Sequence, residues 1–212
     1  MWPEAPDIEE AELEPWTATE LATGFELEDV LVDGVELGAV RASGGRVARC
    51  ALVGAGLAGA RLRSLALTDV VVREGDFANA DLTGARMRRV VFERVRMTGV
   101  TFAEMQAEDV LLRGCRLDLA SFRAAEIARV AFEDCVLDEA DFYGAGLRQV
   151  RFAGCRMRRV ELEHARLSSV DLRTSDLEDP SGELRGAIID SVQLAGLAPQ
   201  LAARLGIKVD DG

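Results

Sequence analysis

Apolar residues recur at every fifth position through most of this chain. From Leu27 to Leu177, all 31 positions at this spacing are apolar, although apolar residues make up only 49% of the sequence. Neither the 3.6-residue period of an α-helix nor the two-residue period of a β-strand can hold such a pattern. A backbone that turns a corner every five residues can hold it, because each of these central positions then points inward.

The position two residues before each central position is also free of charge. Between residues 25 and 175 it holds small or apolar side chains, and all four cysteines occupy it: Cys50, Cys115, Cys135 and Cys155. Because the cysteines lack the C-x-x-C spacing of a metal or redox site, we interpret them as reduced, buried thiols. The sequence therefore predicts two inward-facing and three outward-facing side chains in each unit of five.

Two of these units resemble the consensus of the pentapeptide-repeat family, in which Ala and Asp or Asn precede a central Leu. They are Ala-Asp-Leu-Thr-Gly at 80–84 and Ala-Asp-Phe-Tyr-Gly at 140–144. The resemblance implies an all-β fold, a right-handed quadrilateral β-helix with four units per coil and about eight coils over residues 25–179. The chain departs from the consensus in that Arg often replaces the Asp, as at Arg46 and Arg86.

Charged residues twenty positions apart test the coil length independently. Four units per coil would stack such residues about 4.8 Å apart, where opposite charges attract and like charges repel. One column reads Asp29, Arg49, Asp69, Arg89, Asp109, Arg129, and a second reads Arg73, Glu93, Arg113, Glu133. The alternating sign supports a coil of twenty residues. The same spacing predicts a core stack of Phe102, Phe122 and Phe142.

Both ends of the chain lie outside the regular pattern. A solenoid needs caps, because its end coils expose unpaired backbone and core. We interpret residues 1–24 as an acidic N-terminal cap segment, in which residues 17–20 resemble a helix capping box. Trp2 and Trp16 are expected to cover the first coil.

Residues 180–212 form the C-terminal region, where we expect two further units in a shifted phase at 187–189 and 192–194. A short helix at 198–206 follows, with Pro199 in its first turn and Gly206 at its end. One side of this helix carries candidates for a lid on the last coil or for a dimer contact: Leu197, Leu201 and Leu205. The family resemblance implies a homodimer, since several members pair end to end through C-terminal helices.

One outward-facing column is apolar rather than charged, and we call it the apolar stripe. Its residues are Leu31, Ala51, Val71, Val91, Leu111 and Ala131. Because an exposed apolar patch of this extent usually marks a contact surface, the stripe is a candidate interaction site. Two alternatives stay open: the N-terminal segment folds back over the stripe, or the stems of Arg73, Arg113 and Glu133 cover it.

No arrangement of residues indicates catalysis, and we expect neither an enzyme nor a bound metal or cofactor. Residues 54–59 match the G-x-G-x-x-G dinucleotide fingerprint, but the five-residue frame runs through them where that motif needs a helix. The one histidine of the sequence, His164, lies in an outward position without the partners that a catalytic triad or a metal site requires.

The net charge of −12 is confined to one end of the chain. Residues 1–40 contain 12 acidic residues and no Lys or Arg, whereas residues 41–212 contain 25 of each sign. No apolar stretch is long enough to cross a membrane, and the N-terminus lacks the basic-then-apolar order of a signal peptide. We therefore expect a cytoplasmic protein that binds neither membranes nor nucleic acid directly.

These features favour a scaffold that mediates protein–protein interaction. The family resemblance adds an alternative, since one branch of pentapeptide-repeat proteins imitates duplex DNA, binds DNA gyrase and other type II topoisomerases, and protects against quinolone-like inhibitors. A DNA mimic must present rows of negative charge. The neutral body of this chain and its columns of alternating sign favour the scaffold over the mimic.

Overall fold

The computed structural model describes residues 3–17, 21–38 and 40–208. The chain winds into a right-handed quadrilateral β-helix of about nine turns, and a C-terminal α-helix follows it. The sequence predicted about eight coils, because the predicted solenoid ended at residue 179. Chain beyond that point adds to the solenoid, because the strand Ala187–Ile188 pairs with the preceding coil.

Short strands follow one another along the coils. The elements are a 3-10 helix (Glu10–Glu12), β1 (Glu14–Pro15), β2 (Glu26–Glu28), β3 (Val30–Asp33), β4 (Arg41–Ser43), β5 (Arg46–Val53), β6 (Arg61–Arg63), β7 (Ala66–Arg73), β8 (Arg86–Glu93), β9 (Gln106–Arg113), β10 (Glu126–Glu133), β11 (Gly146–Ala153), β12 (Arg156–Arg158), β13 (Arg166–Asp171), β14 (Asp176–Glu178), β15 (Ala187–Ile188) and α1 (Ser191–Arg204).

Parallel pairing between residues twenty apart joins each coil to the next. β5 pairs with β7 so that Val47 lies beside Leu67 and Leu52 beside Val72. The same offset continues through β8, β9, β10 and β11. Isolated bridges carry it along the other two sides of each coil. The predicted coil length of twenty residues is confirmed.

Each coil has four faces, and each face is centred on one apolar residue of the five-residue frame. The first face is centred on Leu27 and the residues at intervals of twenty from it, and the second face on Val32 and its equivalents. The outward side chains of the second face include the apolar stripe and the charged column that begins at Arg73. The corner between these two faces carries the charged column that begins at Asp29.

A left-handed backbone conformation marks the corners. Every described residue at intervals of five from Gly24 to Ser169 has a positive φ, for example 55° at Asp69 and 50° at Arg89. Residues other than glycine seldom adopt this backbone conformation, because it brings Cβ close to the following carbonyl oxygen. Its repetition turns an extended chain into a coil with four corners.

Phenylalanine rings organise the core into columns. The rings of Phe122 and Phe142 stack with centroids 4.7 Å apart, and those of Phe102 and Phe122 with centroids 5.5 Å apart. This confirms the predicted stack. Phe132 and Phe152 form a second stack at 4.8 Å, which meets the first edge to face.

The four cysteines lie in this core as free, buried thiols, as predicted. Burial raises the pKa of the Cys50 thiol, and a hydrogen bond with Cys135 together with burial raises that of Cys115. A raised pKa keeps a thiol protonated at neutral pH and so lowers its reactivity. The pKa of Cys155 is instead lowered by its hydrogen bond with Cys135. All four side chains are almost fully buried, and so they act as packing residues.

We predict that Phe122→Asp abolishes soluble folding, because it buries an unpaired charge in the middle of the ring stack. Phe122→Ala should lower the free energy of unfolding by about 3–5 kcal/mol, measured by urea denaturation. Leu119→Ala is the matched control, since Leu119 is 58% exposed at a corner. It should change stability by less than about 0.5 kcal/mol. A soluble Phe122→Asp variant with an unchanged melting temperature would contradict this packing.

Candidate functional site

The N-terminal segment lies along the second face and covers the apolar stripe. We call residues 3–15 the strap. Pro3 lines a cleft with Ala131 on the sixth coil, Ala5 lines another with Val91 and Leu111, and β1 pairs with Leu31 on the first coil. Three stripe residues are buried and three are partly buried: Ala51, Val71 and Ala131, then Leu31, Val91 and Leu111. Of the two alternatives left open by the sequence, the structure supports the folded-back segment.

The strap has one apolar side and one acidic side. Its partly buried residues are Pro3, Pro6, Ile8 and Leu13. All of its carboxylates are exposed: Glu4, Asp7, Glu9, Glu10, Glu12 and Glu14. The strap therefore replaces an apolar surface with an acidic one over the first to sixth coils.

Two backbone N–H groups hold the strap to the corner between the first and second faces. The amide of Asp7 donates to Asp69 Oδ1 at 2.9 Å, and the amide of Glu4 donates to Asp109 Oδ1 at 3.3 Å. Asp69 and Asp109 are the buried charged residues within the described ranges. Burial of a carboxylate is costly unless its oxygens are hydrogen-bonded, as these are.

Each of these carboxylates is also bound by the arginine of the following coil. Arg89 Nε and Nη2 lie 2.6 and 2.5 Å from the oxygens of Asp69, and Arg129 binds Asp109 in the same way at 2.9 and 2.6 Å. These hydrogen bonds lower the pKa of both aspartates. The predicted alternating column thus resolves into bidentate pairs, in which each Asp binds the Arg of the next coil.

A third pair in this column shows what the strap contributes. Arg49 binds Asp29 with the same bidentate geometry, at 2.6 and 2.7 Å. The side chains of Asp29 and Arg49 are 57% and 45% exposed, against 9% and 19% for Asp69 and Arg89. Because an ion pair is screened less when water is excluded, the covered pairs hold their geometry more firmly than the open one.

A second ion-pair column fixes the middle of the strap. Arg73 Nη1 and Nη2 bind the two carboxylate oxygens of Glu10 at 2.6 and 2.7 Å, while Arg73 Nε binds Glu93 at 3.1 Å. The ladder continues from Glu93 to Arg113 at 3.3 Å and from Arg113 to Glu133 at 3.0 Å. Glu10 is therefore an extension of the predicted column, supplied by a distant part of the chain.

At the other end, α1 closes the solenoid with its polar side chains turned inward. Gln193 Nε2 donates to the carbonyls of Leu172 and Ser175, both at 2.7 Å. Gln200 and Arg204 donate to the carbonyl of Pro180 at 2.9 and 2.5 Å. These bonds satisfy backbone oxygens that the last coil leaves without a following coil.

The structure corrects several expectations at this end. The second shifted unit, at 192–194, is helical, because Asp190 and Gln193 form a capping box that starts α1 at Ser191, seven residues earlier than the predicted 198. Pro199 consequently lies inside the helix and not in its first turn. Gly206 follows the helix with a φ of 71°, as a C-terminal stop requires.

The three leucines proposed for a lid or a dimer contact are separated by the structure. Leu197 is buried and Leu201 packs against the core, so both belong to the lid. Leu205 follows the last helical residue and is 76% exposed. Val192 and Leu194 are exposed as well, at 78% and 51%. The outer side of α1 is thus apolar.

The residues weighed for catalysis occupy structural positions. His164 is a corner residue with a φ of 60°, and its ring meets that of Tyr143 edge to face at 5.1 Å. Arg123 lies 4.4 Å above the same Tyr143 ring, a cation–π contact that sequence spacing alone did not single out. Residues 54–59 continue the coil, where Gly56 bridges to the coils on either side.

Of the proposed N-terminal caps, Trp16 packs against the core. Trp2 and three residues of the capping box at 17–20 fall outside the described residues. Across 3–17, 21–38 and 40–208, no helix has the length and apolar character needed to cross a membrane. Over the same ranges, His, Cys, Asp and Glu side chains form no cluster suited to a metal ion.

Two family models match consecutive parts of the coil region. The model of pentapeptide repeats, in eight copies, matches residues 76–114, and that of the pentapeptide repeat region matches residues 125–194. The chain belongs to the pentapeptide-repeat family. A search of curated proteins found no match for this pentapeptide-repeat chain.

Two solved structures of QnrB1 share the fold. A trypsin-treated form of QnrB1, described as a plasmid-mediated fluoroquinolone resistance protein, is 18% identical with a TM-score of 0.65, over 92% of this chain and 96% of QnrB1. A second trypsin-treated form of QnrB1 is 19% identical with a TM-score of 0.54, over 87% of this chain and 100% of that form. HetL from the cyanobacterium Nostoc is described as involved in heterocyst differentiation regulation. It is 18% identical with a TM-score of 0.26, over 80% of this chain and 91% of HetL. At such identities, the likeness to QnrB1 concerns the fold.

We predict that Asp69→Asn destabilises this pentapeptide-repeat protein by about 2 kcal/mol at pH 7, because it weakens a buried pair and the strap contact. The lowered pKa means that the Asp69 carboxylate contributes stability above about pH 4, which is lost as the pH falls through the lowered value. Urea denaturation at pH 7 and pH 2.5 should therefore show a difference that shrinks in acid.

Asp29→Asn is the matched control, since it removes the same charge from an exposed pair in the same column. It should cost less stability at pH 7 than Asp69→Asn. Equal losses in the two variants would show that the strap does not shield this corner.

Proposed function

We propose that the protein is a non-enzymatic scaffold that pairs with a second copy through α1 and presents the faces of two solenoids to a protein partner. The observation that carries this proposal is the exposure of apolar side chains on the outer side of α1, where Val192 and Leu194 are 78% and 51% exposed. In a helix that lies on a protein surface, the charged and polar side chains normally face water. Here Gln193, Gln200 and Arg204 bond the end of the solenoid beside the inward Leu197 and Leu201, and apolar side chains are left exposed on the outer side.

Large apolar side chains cluster at this end of the molecule. The exposed ones are Ile188, Val192, Leu194, Leu205 and Ile207. Arg204 is the one charged residue of α1, and its guanidinium is engaged with the carbonyls of Pro180 and Gly182. Exposed apolar side chains at one end of a molecule favour self-association about a two-fold axis, in which the same patch serves both copies.

The long faces supply the binding surface of the scaffold. Many of their outward charges pair between neighbouring coils, as in Arg94–Glu74 at 2.8 Å and Arg96–Asp76 at 2.9 Å. Matched, rigid pairs favour a fixed recognition surface over an acid–base centre, because such a centre needs isolated groups with pKa values near neutrality.

We predict that the double variant Val192→Asp with Leu205→Asp converts a dimer into a monomer, measured by light scattering with size-exclusion chromatography. Two charges per copy on the shared patch would be desolvated on pairing. Leu119→Asp is the matched control, since it places a charge on an exposed leucine remote from α1. A monomeric parent protein, or a variant of unchanged mass and unchanged melting temperature, would remove the dimer from the proposal.

A second candidate function is binding to a type II topoisomerase as a mimic of DNA. Two observations favour it: the fold likeness to QnrB1 over 92% of the chain, and the exposed carboxylates of the strap. Five of these make no ion pair within the described residues: Glu4, Asp7, Glu9, Glu12 and Glu14. A DNA-binding groove on the partner would attract such a row of carboxylates.

A DNA supercoiling assay with purified gyrase and a fluoroquinolone tests this topoisomerase function. Micromolar protein should restore supercoiling in the presence of the drug or inhibit it in its absence. A chain that lacks residues 1–15 should act more weakly, because it lacks the acidic strap. No effect of the full chain at micromolar concentration would rule out the topoisomerase function while leaving the scaffold proposal intact.

A further inference from the structure

The strap is held in the manner of a bound peptide. Its anchoring amides, at Glu4 and Asp7, are three residues apart, and they meet Asp109 and Asp69, which are forty residues apart. Forty residues are two coils, since strand pairing joins residues twenty apart. Three residues of extended chain span about 10 Å, and two coils span about 9.6 Å. The rise of an extended segment therefore matches the spacing of the acceptors.

Prolines in the strap fit this arrangement. Pro3 and Pro6 each come directly before one of the two donor residues, Glu4 and Asp7. Proline lacks an N–H and holds the chain near the polyproline II conformation, so it suits the positions next to the donors and not the donor positions themselves. A segment of this composition reaches the groove already extended, which reduces the entropy lost on binding.

The floor and the rim of the groove complement an acidic, partly apolar ligand. The floor is the apolar stripe, and the partly buried Pro3 lines a cleft with Ala131 of this floor. On the rim, Arg73 takes up the Glu10 carboxylate with two hydrogen bonds. Arg89 and Arg129 neutralise Asp69 and Asp109, so that these aspartates accept backbone N–H groups without repelling an acidic chain.

From these contacts we propose that the second face is a recognition groove for an extended, acidic, proline-containing segment of a partner protein, and that the strap occupies this groove in cis. The segment that the groove accepts carries donor amides three residues apart, each preceded by proline, and a carboxylate for Arg73. The proposal is independent of pairing through α1 and of topoisomerase binding, since neither uses the apolar floor.

Tethering makes the strap a strong competitor. A segment linked to its own site through a few residues acts at an effective concentration in the millimolar range. A partner segment of similar chemistry therefore binds only when its affinity and concentration outweigh the effective concentration of the strap, or when the strap is removed. The strap is in this sense an autoinhibitory occupant of the groove.

The first test uses a chain that begins at Trp16 and a fluorescent synthetic peptide of residues 1–15, with binding followed by anisotropy. We expect the shortened chain to bind the peptide with micromolar affinity and the full chain to bind it at least about tenfold more weakly. No binding at about 200 µM by a shortened chain whose circular dichroism matches that of the full chain would overturn the proposal.

Peptide variants test the recognition pattern. N-methylation of the Glu4 and Asp7 amides should lower affinity at least about tenfold, because each substitution removes one donor. N-methylation of Ala5 is the matched control, since no acceptor among the described residues bonds its amide. An unrelated peptide that keeps the Pro-Glu-x-Pro-Asp spacing should bind, and a version with Lys in place of the acidic residues should not. Equal binding of all versions would overturn the proposal.

Variants of the groove give a matched set. In the shortened chain, Asp69→Asn and Asp109→Asn should each weaken peptide binding. Asp29→Asn should leave it unchanged, because Asp29 bonds residues 3–15 through its backbone carbonyl and not through its side chain. Arg73→Glu should weaken binding further by repelling the Glu10 carboxylate. If the shortened chain does not fold, hydrogen exchange on the full chain replaces this test. The Glu4 and Asp7 amides should then exchange slowly and the Ala5 amide fast, and uniformly fast exchange would overturn the proposal.

Discussion

Hydrogen bonds between the backbones of successive coils are the constraint on which this structure depends. Each coil donates to both of its neighbours, as where Arg61 N donates to Val40 O of the preceding coil at 2.9 Å and Leu62 N donates to Asp81 O of the following coil at 2.8 Å. These bonds bring residues twenty apart to the distance between paired strands. This pairing determines which side chains are neighbours. Phenylalanine rings therefore stack on one another, and acidic side chains lie beside arginines. The ladder thus fixes the core, the faces and the charge columns together.

The regular coils leave the two ends and one face to be completed by other means. At the C-terminal end, side chains of α1 replace the donors that a further coil would supply. On the second face, the strap shields an apolar column and two aspartates at once. This repeat protein could have charged side chains on this column, as it has on others. The apolar column and the strap that covers it are therefore best understood as one recognition unit.

Sequence alone predicted the regular part well, because a repeated five-residue pattern averages over many local uncertainties. The coil length, the Phe102–Phe122–Phe142 stack and the buried cysteines followed from spacing. The strap contacts could not follow, since residues 3–15 lie outside the frame and meet residues up to about a hundred positions away. The start of α1 was missed although Asp190 and Gln193 carry a capping-box signature, because the five-residue frame was extended too far. Periodicity predicts what repeats and says nothing about what binds to it.

The left-handed corners and the hydrogen-bond ladder have a joint consequence for composition. A corner needs a positive φ, and most other positions need an N–H for the neighbouring coil; proline provides neither. All five prolines accordingly lie outside residues 16–179: three in the first fifteen residues, then Pro180 and Pro199. Proline thus marks both ends of the repeat array in the primary sequence. If the array gains or loses whole coils, the prolines still mark its ends.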